Sequence, residues 1–438
     1  MSWSDLSTHF VSLRHRNFRL LWGSQLISMA GSMMQTAAIL WHVSLLVPAS
    51  RRGLALGMVG LVKVVPIVGF SLLSGVVADA VDRRKLLLIT QSGMALTAAV
   101  LAALAFTGAR GLWPVYALAA ISSAFGSFDG PARQSLVPNL VPRDHLPNAI
   151  TLNTIMFQTA AVLGPALGGL VIAMGGVGWT YALNALSFLF VIAALLLMRD
   201  LPPRAPQSTG EISFRAARDG LRFVFHTPLI RSTMLLDFFA TFFASATALL
   251  PIFAQDILRV GARGYGLLSA APSVGALLTS FALVPLVDRI RHRGATMLWA
   301  VFGYGVSTVV FGVSRNFALT FLCLALTGAT DTVSMVIRNV IRQLNTPDEM
   351  RGRMTSVNMI FFMGGPQLGE MEAGLVASLW GAMFSVVSGG VGCLLATAWV
   401  AGRTPELRHY RRETPVWTVP KAGEAVGSGT GGGGSAGE

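Results

Sequence analysis

The residues from Leu54 to Val77 and from Leu86 to Phe106 form two long apolar runs. Between them, Asp79-Ala80-Val81-Asp82-Arg83-Arg84-Lys85 packs two acids and three bases into seven positions. An α-helix rises 1.5 Å per residue, so about 20 apolar residues cross the ~30 Å hydrocarbon core of a bilayer. Such runs leave a chain little choice of fold. In lipid every backbone polar group must be satisfied within the protein, so only helices and closed barrels span. Barrel strands alternate apolar and polar over about ten residues, and these runs are longer and do not alternate. The charged stretch is therefore a tight turn between two membrane helices, and its excess base places it in the cytoplasm. Gly75 lets a second helix approach, and Asp79 can accept from an arginine or a helix N-terminus. Spacing alone is explained equally well by a solvated loop that only orients the chain.

Composition agrees. Of 438 residues, 53% are hydrophobic and 12% charged, where a soluble domain carries about 25% charged residues. The net charge of +13 raises the question of nucleic acid. It is answered by position: the bases sit in short loops between apolar runs, not on one patch. Cys323 and Cys393 both lie inside apolar runs and read as packing residues with no disulfide. Residues 1–18 hold Arg14, His15 and Arg16 but no short apolar core with a small-residue cleavage site, so no removable signal is expected. No metal-ligand spacing, nucleophile constellation or phosphate loop is present. Neither an enzyme nor a metal or organic cofactor is expected.

The apolar runs predict twelve helices, at 19–43, 53–78, 86–107, 112–132, 150–174, 179–199, 229–254, 263–286, 295–314, 316–337, 354–378 and 380–402. An even number puts both termini on one side. Of the 33 basic residues, only Arg51, Arg52, Arg110, Arg259, Arg263 and Arg315 fall on the opposite side, and Lys63 lies within a helix. That bias places both termini in the cytoplasm of a multi-pass inner-membrane protein. Residues 200–228 open with Pro202, Pro203 and Pro206. They continue with apolar positions among Arg215, Arg218 and Arg222, the pattern of an amphipathic helix on the inner membrane face. They separate a six-helix bundle at 1–199 from another at 229–402. A flexible cytoplasmic tail at 403–438 ends in a Gly/Ser-rich stretch.

The bundles repeat one another. Arg133 and Arg338, Pro142 and Pro347, Asn153 and Asn358, Phe157 and Phe362, Gly164 and Gly369, and Gly169 and Gly374 all share an offset of 205 residues. Asp79-x-x-x-Arg83-Arg84 is echoed by Asp288-x-x-x-His292-Arg293. The fold class is thus all-α, with two pseudo-symmetric halves related by an axis along the membrane normal.

Gly75, Ala78, Asp79, Arg83 and Arg84 match the loop signature G-x-[LV]-[AG]-D-[RK]-x-G-R-[KR] between helices 2 and 3 of the major facilitator superfamily, and the chain resembles that family. Ala80 and Asp82 depart from it. The resemblance implies a cytoplasmic latch between halves formed by Asp79 and Arg83. Asp129, Arg133, Asp331 and Arg338 at the inner ends of helices 4 and 10 would join it, with Asp288 as the second-half echo. Gly164-Pro165-Ala166-Leu167-Gly168-Gly169 is first a helix-packing stretch, with small residues for close approach and a proline bend. It also resembles the helix-5 core, G-P-x-x-G-G, of proton-coupled antiporters in the superfamily. Phe128–Arg133, Thr346–Arg353 and Thr404–Tyr410 look like the enterobactin-exporter and macrolide-efflux branch. The function implied is alternating-access export of amphipathic small molecules of the drug or siderophore class, driven by a proton gradient. The partners would be the bilayer and a small molecule, and the chain a monomer. An importer or facilitator of the same fold, or a non-transporting sensor or scaffold, are the rival readings.

Charges within the hydrocarbon are costly and mark function. Lys63 lies ten residues into helix 2, about 15 Å deep, and Asp237 eight residues into helix 7, about 12 Å deep. Glu370 and Glu372 lie in the outer half of helix 11, their side chains diverging by about 200°. A carboxyl in low dielectric exchanges protons closer to neutral pH, which suits energy coupling. Lys63 would hold one of these acids ionised, and sequence leaves open which. Glu370 comes first, because it follows Gly369 at the repeat position of Gly164. A plain ion pair is the simpler reading for each charge, Asp237 above all. Trp41, Phe238, Phe242, Met335, Phe361 and Phe362 are cavity candidates for a bulky, partly apolar substrate, though each alone reads more simply as packing. His42, near the outer end of helix 1, reads as a headgroup-level polar residue.

Overall fold

A computed structural model describes residues 10–199, 221–243, 246–283 and 285–411. Within these the side chains of 71–73, 75–76, 78–80, 246, 288, 348–349, 351–353, 355–356 and 359–363 lie outside the description. Twelve long helical segments succeed one another among the described residues. The first half holds α1 (Arg16–Leu46), α2 (Arg52–Ala80), α3 (Arg83–Phe106), α4 (Leu112–Leu136), α5 (Leu146–Gly175) and α6 (Val177–Leu197). The second begins with α7 (Pro228–Phe243), which continues through Ala246–Leu249 and Leu250–Ile252 into a π-helical turn, Phe253–Ile257. It goes on with α8 (Gly261–Leu283), α9 (Arg293–Val313), α10 (Phe317–Leu344), α11 (Asp348–Trp380) and α12 (Ala382–Arg403). Each predicted span is met by one of them.

Several helices outrun their predicted edges at the end that carries the termini. There α5 begins at Leu146, α10 runs on to Leu344 and α11 starts at Asp348. Apolarity marks where the hydrocarbon lies, while a helix can carry on past it on polar residues, as α10 does with the buried Arg338 and Arg342 and the exposed Gln343. Ten segments are long and apolar enough to cross a membrane. The other two, α4 and α11, carry Asp129, Arg133, Glu370 and Glu372.

The two main helix contacts between the halves, among the described residues, are α2 against α11 and α5 against α8. Both are made by glycines. A methyl group on Gly169 would come within 2.5 Å of the Gly266 Cα, and one on Gly374 within 2.5 Å of the Gly57 Cα. Gly169 and Gly374 are a repeat pair. Gly57 and Gly266 share the offset of Asp79 and Asp288, so one interface is built twice by one repeat.

The two ends of the molecule differ. At the end away from the termini, a single buried cluster unites Ile39, Trp41, Val43, Leu56 and Tyr181 of the first half with Leu249, Phe253, Tyr265, Phe311 and Ala373 of the second. At the terminus end the clusters stay within a half. Phe18, Leu21, Leu86, Leu136 and Leu152 form one, and Met297, Ile337, Ile341, Leu407 and Tyr410 another. Among the described residues, buried apolar clusters join the halves at the far end and not at the terminus end.

Of the linker, residues 221–226 are helical. Val224 is buried with Ile230, Met234, Met354 and Val357, while Leu221 and Phe225 stay exposed. The rest of the predicted amphipathic helix lies outside the described residues. The first residues of the tail are folded rather than free. The Gly294 amide donates to the Tyr410 carbonyl at 3.1 Å, the Asn345 side-chain amide donates to the Tyr410 hydroxyl at 3.0 Å, and Leu407 is buried. Low complexity begins well beyond this anchor, which a reading by composition overlooks.

Candidate functional site

The α2–α11 contact sets the centre of the site. Gly53, Gly57 and Gly60 recur at helical spacing and give α2 a face bare enough for α11 to lie against. A Cβ on Gly60 would meet the Gln367 carbonyl at 2.6 Å, the Glu370 Cβ at 2.8 Å and the Glu370 Oε2 at 3.0 Å. The Glu370 carboxylate therefore lies over Gly60, three residues from Lys63 on the same helix. Lys63 and Glu370 lie within electrostatic reach of each other, at more than the 4.0 Å of a salt bridge. The structure thus selects Glu370 among the acids that sequence left open. Glu372 is half-buried and does not share that contact.

Asp237 is occupied differently. Its carboxylate pairs with Arg338 at 2.8 Å and Arg342 at 3.5 Å, and all three side chains are 3% exposed. Arg338 also reaches Asp331 at 3.9 Å. Arg342 bonds Asn358 and lies 3.3 Å from the Thr233 hydroxyl. In the first half, Asp129 pairs with Arg133 and accepts from Gln91 at 2.7 Å and Thr90 at 3.2 Å. Arg133 takes its carboxylate from one turn back on α4. Arg338, its repeat partner, has Ser334 at that position and takes its carboxylate from α7 instead.

Arg83 and Arg84 also bond within their own half. Arg83 donates to the Ser135 carbonyl at 3.0 Å and Arg84 to the Leu196 carbonyl at 3.1 Å. Asp82, a departure from the family signature, caps α3 by accepting from the Lys85 amide at 3.0 Å. Gly75 and Asp79 lie on the last turns of α2 and Asp288 in the short helix Val287–Arg289, with side chains outside the described set. The helix-5 stretch does two jobs. Gly164 and Gly168 seat Met33 and Met34 of α1, while Gly169 and the Pro165 carbonyl meet Gly266 of α8.

Among the cavity candidates, Phe238 and Phe242 stack at 5.6 Å on a half-exposed face of α7. Met335 is half-exposed on α10, and the side chains of Phe361 and Phe362 lie outside the described set. Trp41 belongs to the far end, its ring 5.0 Å from that of Tyr265. An apolar groove of about 650 Å³ between α2 and α4, lined by Leu61, Val65, Phe70 and Ile121 among others, holds none of the candidates. His42, near the outer end of α1, faces the protein interior. It is 6% exposed, with its Nδ1 3.2 Å from the Tyr181 hydroxyl.

Sequence reading missed the polar contacts that close the far end across the halves. Arg52 pairs with Asp256 at 2.8 Å and donates to the Ser44 carbonyl at 3.0 Å. Gln255 donates to the Ser44 hydroxyl at 2.7 Å, and Tyr265 to the Ala37 carbonyl at 2.8 Å. The π-helical turn presents Gln255 and Asp256 together, and π-turns recur at functional sites. Nothing in the local sequence relates residues some 200 positions apart.

Twelve long helical segments that meet through repeated glycine contacts, with Glu370 of α11 seated over α2, are the architecture of a membrane transporter of the major facilitator superfamily. Residues 7–421 match the transmembrane secretion effector family, and the chain belongs to it. It is similar to the enterobactin exporter EntS of Escherichia coli strain K12, 28% identical over 348 residues covering 80% of this chain and 83% of the exporter. Solved structures share the fold. A bacterial homologue of the human lysosomal transporter spinster, inward-facing and unoccupied, matches with a TM-score of 0.68 at 14% identity, over 90% of this chain and 98% of its own. A bacterial homologue of the iron transporter ferroportin, also inward-facing, gives 0.65 at 17% identity, over 88% and 98%.

Proposed function

We propose that this chain is a proton-coupled exporter of amphipathic small molecules of the drug or siderophore class, working by alternating access as a monomer in the inner membrane. The bias of bases toward the terminus side supports placing both termini in the cytoplasm. The far end, joined across the halves, is then the outer face, and the terminus end opens inward. The similarity to an enterobactin exporter and the helix-5 stretch support outward transport. The stacked Phe238 and Phe242 offer an apolar wall to a bulky substrate.

The observation that carries the reading is the seat of Glu370 over Gly60 on the α2–α11 contact, within electrostatic reach of Lys63. A scaffold has no use for such charges at membrane depth. Because the pair spans the two halves, the protonation state of Glu370 changes the attraction between them and so biases the rocking equilibrium. Protonation releases Lys63, and loss of the proton restores the pair. Substrate and proton alternate at one centre, and no cofactor beyond the gradient is needed.

The test is gradient-driven transport in proteoliposomes with enterobactin and ethidium as probes, for wild type, Glu370→Gln, Glu372→Gln and Asp237→Asn. Glu370→Gln is expected to abolish the response to an imposed pH gradient while exchange without a gradient continues. If all three variants respond as wild type does, coupling through these carboxyls is wrong, and an importer or facilitator becomes the better reading.

A further inference from the structure

Asp331 of α10 is a carboxylate that the coupling reading leaves unused. It stands about 21 Å along the helix from Phe317, inside the ~30 Å that a bilayer spans. Its side chain is 44% exposed. A charge turned to hydrocarbon is costly, so the direction of that exposure matters. A helix turns about 100° per residue, which puts Leu322 and Leu326 about 180° and 140° round from Asp331. These leucines are the exposed apolar side of α10, at 55% and 44%. Arg338 and Arg342 lie on the face of Asp331, and both turn to Asp237 of α7. Met335, one turn from Asp331, is half-exposed on the same face. The side of α10 turned away from its exposed leucines is therefore polar, and it borders open space.

The repeat tells what stands at the same place in the first half. Gly126 of α4 lies 205 residues before Asp331, the offset of Arg133 and Arg338. Among the described residues, a Cβ on Gly126, or on Gly130 one turn further, would meet nothing within 4 Å. The exposed Ile121 of α4 is about 140° round from Gly126. The counterpart face of α4 is thus bare and open where α10 carries an acid. Asp129, the acid of α4, is 6% exposed and held by Arg133, Gln91 and Thr90. Asp331 is held more loosely. Arg338 stands 3.9 Å away, beyond hydrogen-bond distance, and gives its short contact to Asp237 at 2.8 Å. We propose that Asp331 binds the cationic group of the substrate, in a site bounded by Met335 and the bare face of α4, so that the cargo is an amphipathic organic cation.

The inference rests on the export reading above and adds the charge of the cargo. A bulky ligand that displaces water from the site strengthens the attraction between its cation and the carboxylate, because attraction rises as the dielectric falls. Met335 is unbranched and polarizable and adapts to ring systems of different outline. The absence of side chains at Gly126 and Gly130 leaves room for bulk. Of the drug and siderophore classes, cationic drugs fit such a site and anionic chelators do not.

The experiment measures binding and gradient-driven transport of two probes in proteoliposomes, for wild type, Asp331→Asn and Asp331→Glu. One probe is ethidium, a permanent cation. The other is the uncharged phenanthridine left when ethidium loses its N-ethyl group. Wild type is expected to bind ethidium the more tightly. Asp331→Asn should weaken ethidium about tenfold, the worth of one charge-assisted contact, and leave the uncharged probe unchanged. Asp331→Glu should keep most of the preference. Equal losses for both probes mean that Asp331 only balances the arginines beside it. Loss of the response to a pH gradient, with both probes bound as in wild type, makes it a proton group. Either result overturns the assignment. So does a wild type that transports enterobactin but binds ethidium no better than its uncharged counterpart, a result that needs no variant and leaves export standing. A wild type that moves none of the three compounds overturns the export reading itself.

Discussion

Asp237 is the residue for which the sequence already favoured a plain ion pair, and the structure supplies the partners. At membrane depth a lone acid invites a coupling role, and depth is all that the sequence offers. In the fold it lies between Arg338 and Arg342, with all three side chains 3% exposed. A buried pair contributes little net stability over an apolar replacement, but removing one partner leaves charge uncompensated, at a cost of about 3–5 kcal/mol. Here two guanidiniums would be left behind. Asp237→Asn is therefore expected to lower the yield of monodisperse protein and its melting temperature in detergent, and to impair exchange and driven transport alike. A variant of normal stability that loses only the response to a pH gradient would move Asp237 from structure to coupling. Lys63 and Glu370 were equally visible as costly charges. Their pairing was not, because it depends on the rotation of two helices from opposite halves, which hydropathy does not encode.

Among the elements, the four helices that join the halves were partly legible. The glycines of α5 stand in a recognisable stretch, whereas Gly57 and Gly266 stand alone in apolar runs and become meaningful only opposite Gly374 and Gly169. Helix centres were legible because hydrocarbon imposes apolar runs. Helix ends were not, since α10 and α11 carry on past the apolar runs on polar residues. The close approach of α5 and α8 gives an expectation at this scale. A side chain at Gly169 would meet the Gly266 backbone, which has no flexible end to yield. Gly169→Val should push the two helices apart and abolish transport, while membrane insertion, decided by each helix's apolarity, persists. Gly130 of α4 has open space where a Cβ would stand, so Gly130→Ala should transport at close to the wild-type rate. Membrane fractionation and enterobactin exchange would read both. Normal transport by Gly169→Val would show that the contact is not needed for the cycle.

At the scale of the whole molecule, the proposed alternating access makes the two ends opposing locks on one equilibrium. The outer lock is visible: Arg52 and Asp256 join the halves at 2.8 Å, with side-chain exposures of 18% and 45%. An ion pair that open to water contributes about 0.2–1 kcal/mol, at most about fivefold in the equilibrium between inward-open and outward-open forms, since 1.4 kcal/mol is tenfold. The inner lock is the proposed latch of Asp79 and Arg83. In this structure Arg83 bonds Ser135 of its own half, which leaves the latch to form when the inner end closes. The two locks should respond to mutation in opposite directions. Arg52→Ala removes an outer tie and should shift the population up to about fivefold toward outward-open. Asp79→Asn removes an inner tie with little change in volume, and should shift it toward inward-open and depress transport while expression holds. Distances between spin labels across each end of the purified protein measure both shifts. Charge reversal at both positions, Arg52→Asp with Asp256→Arg, should restore the wild-type distribution if the pair acts through its charge. If the two single variants shift the population the same way, the ends are not opposing locks, and the latch reverts to a loop that only orients the chain.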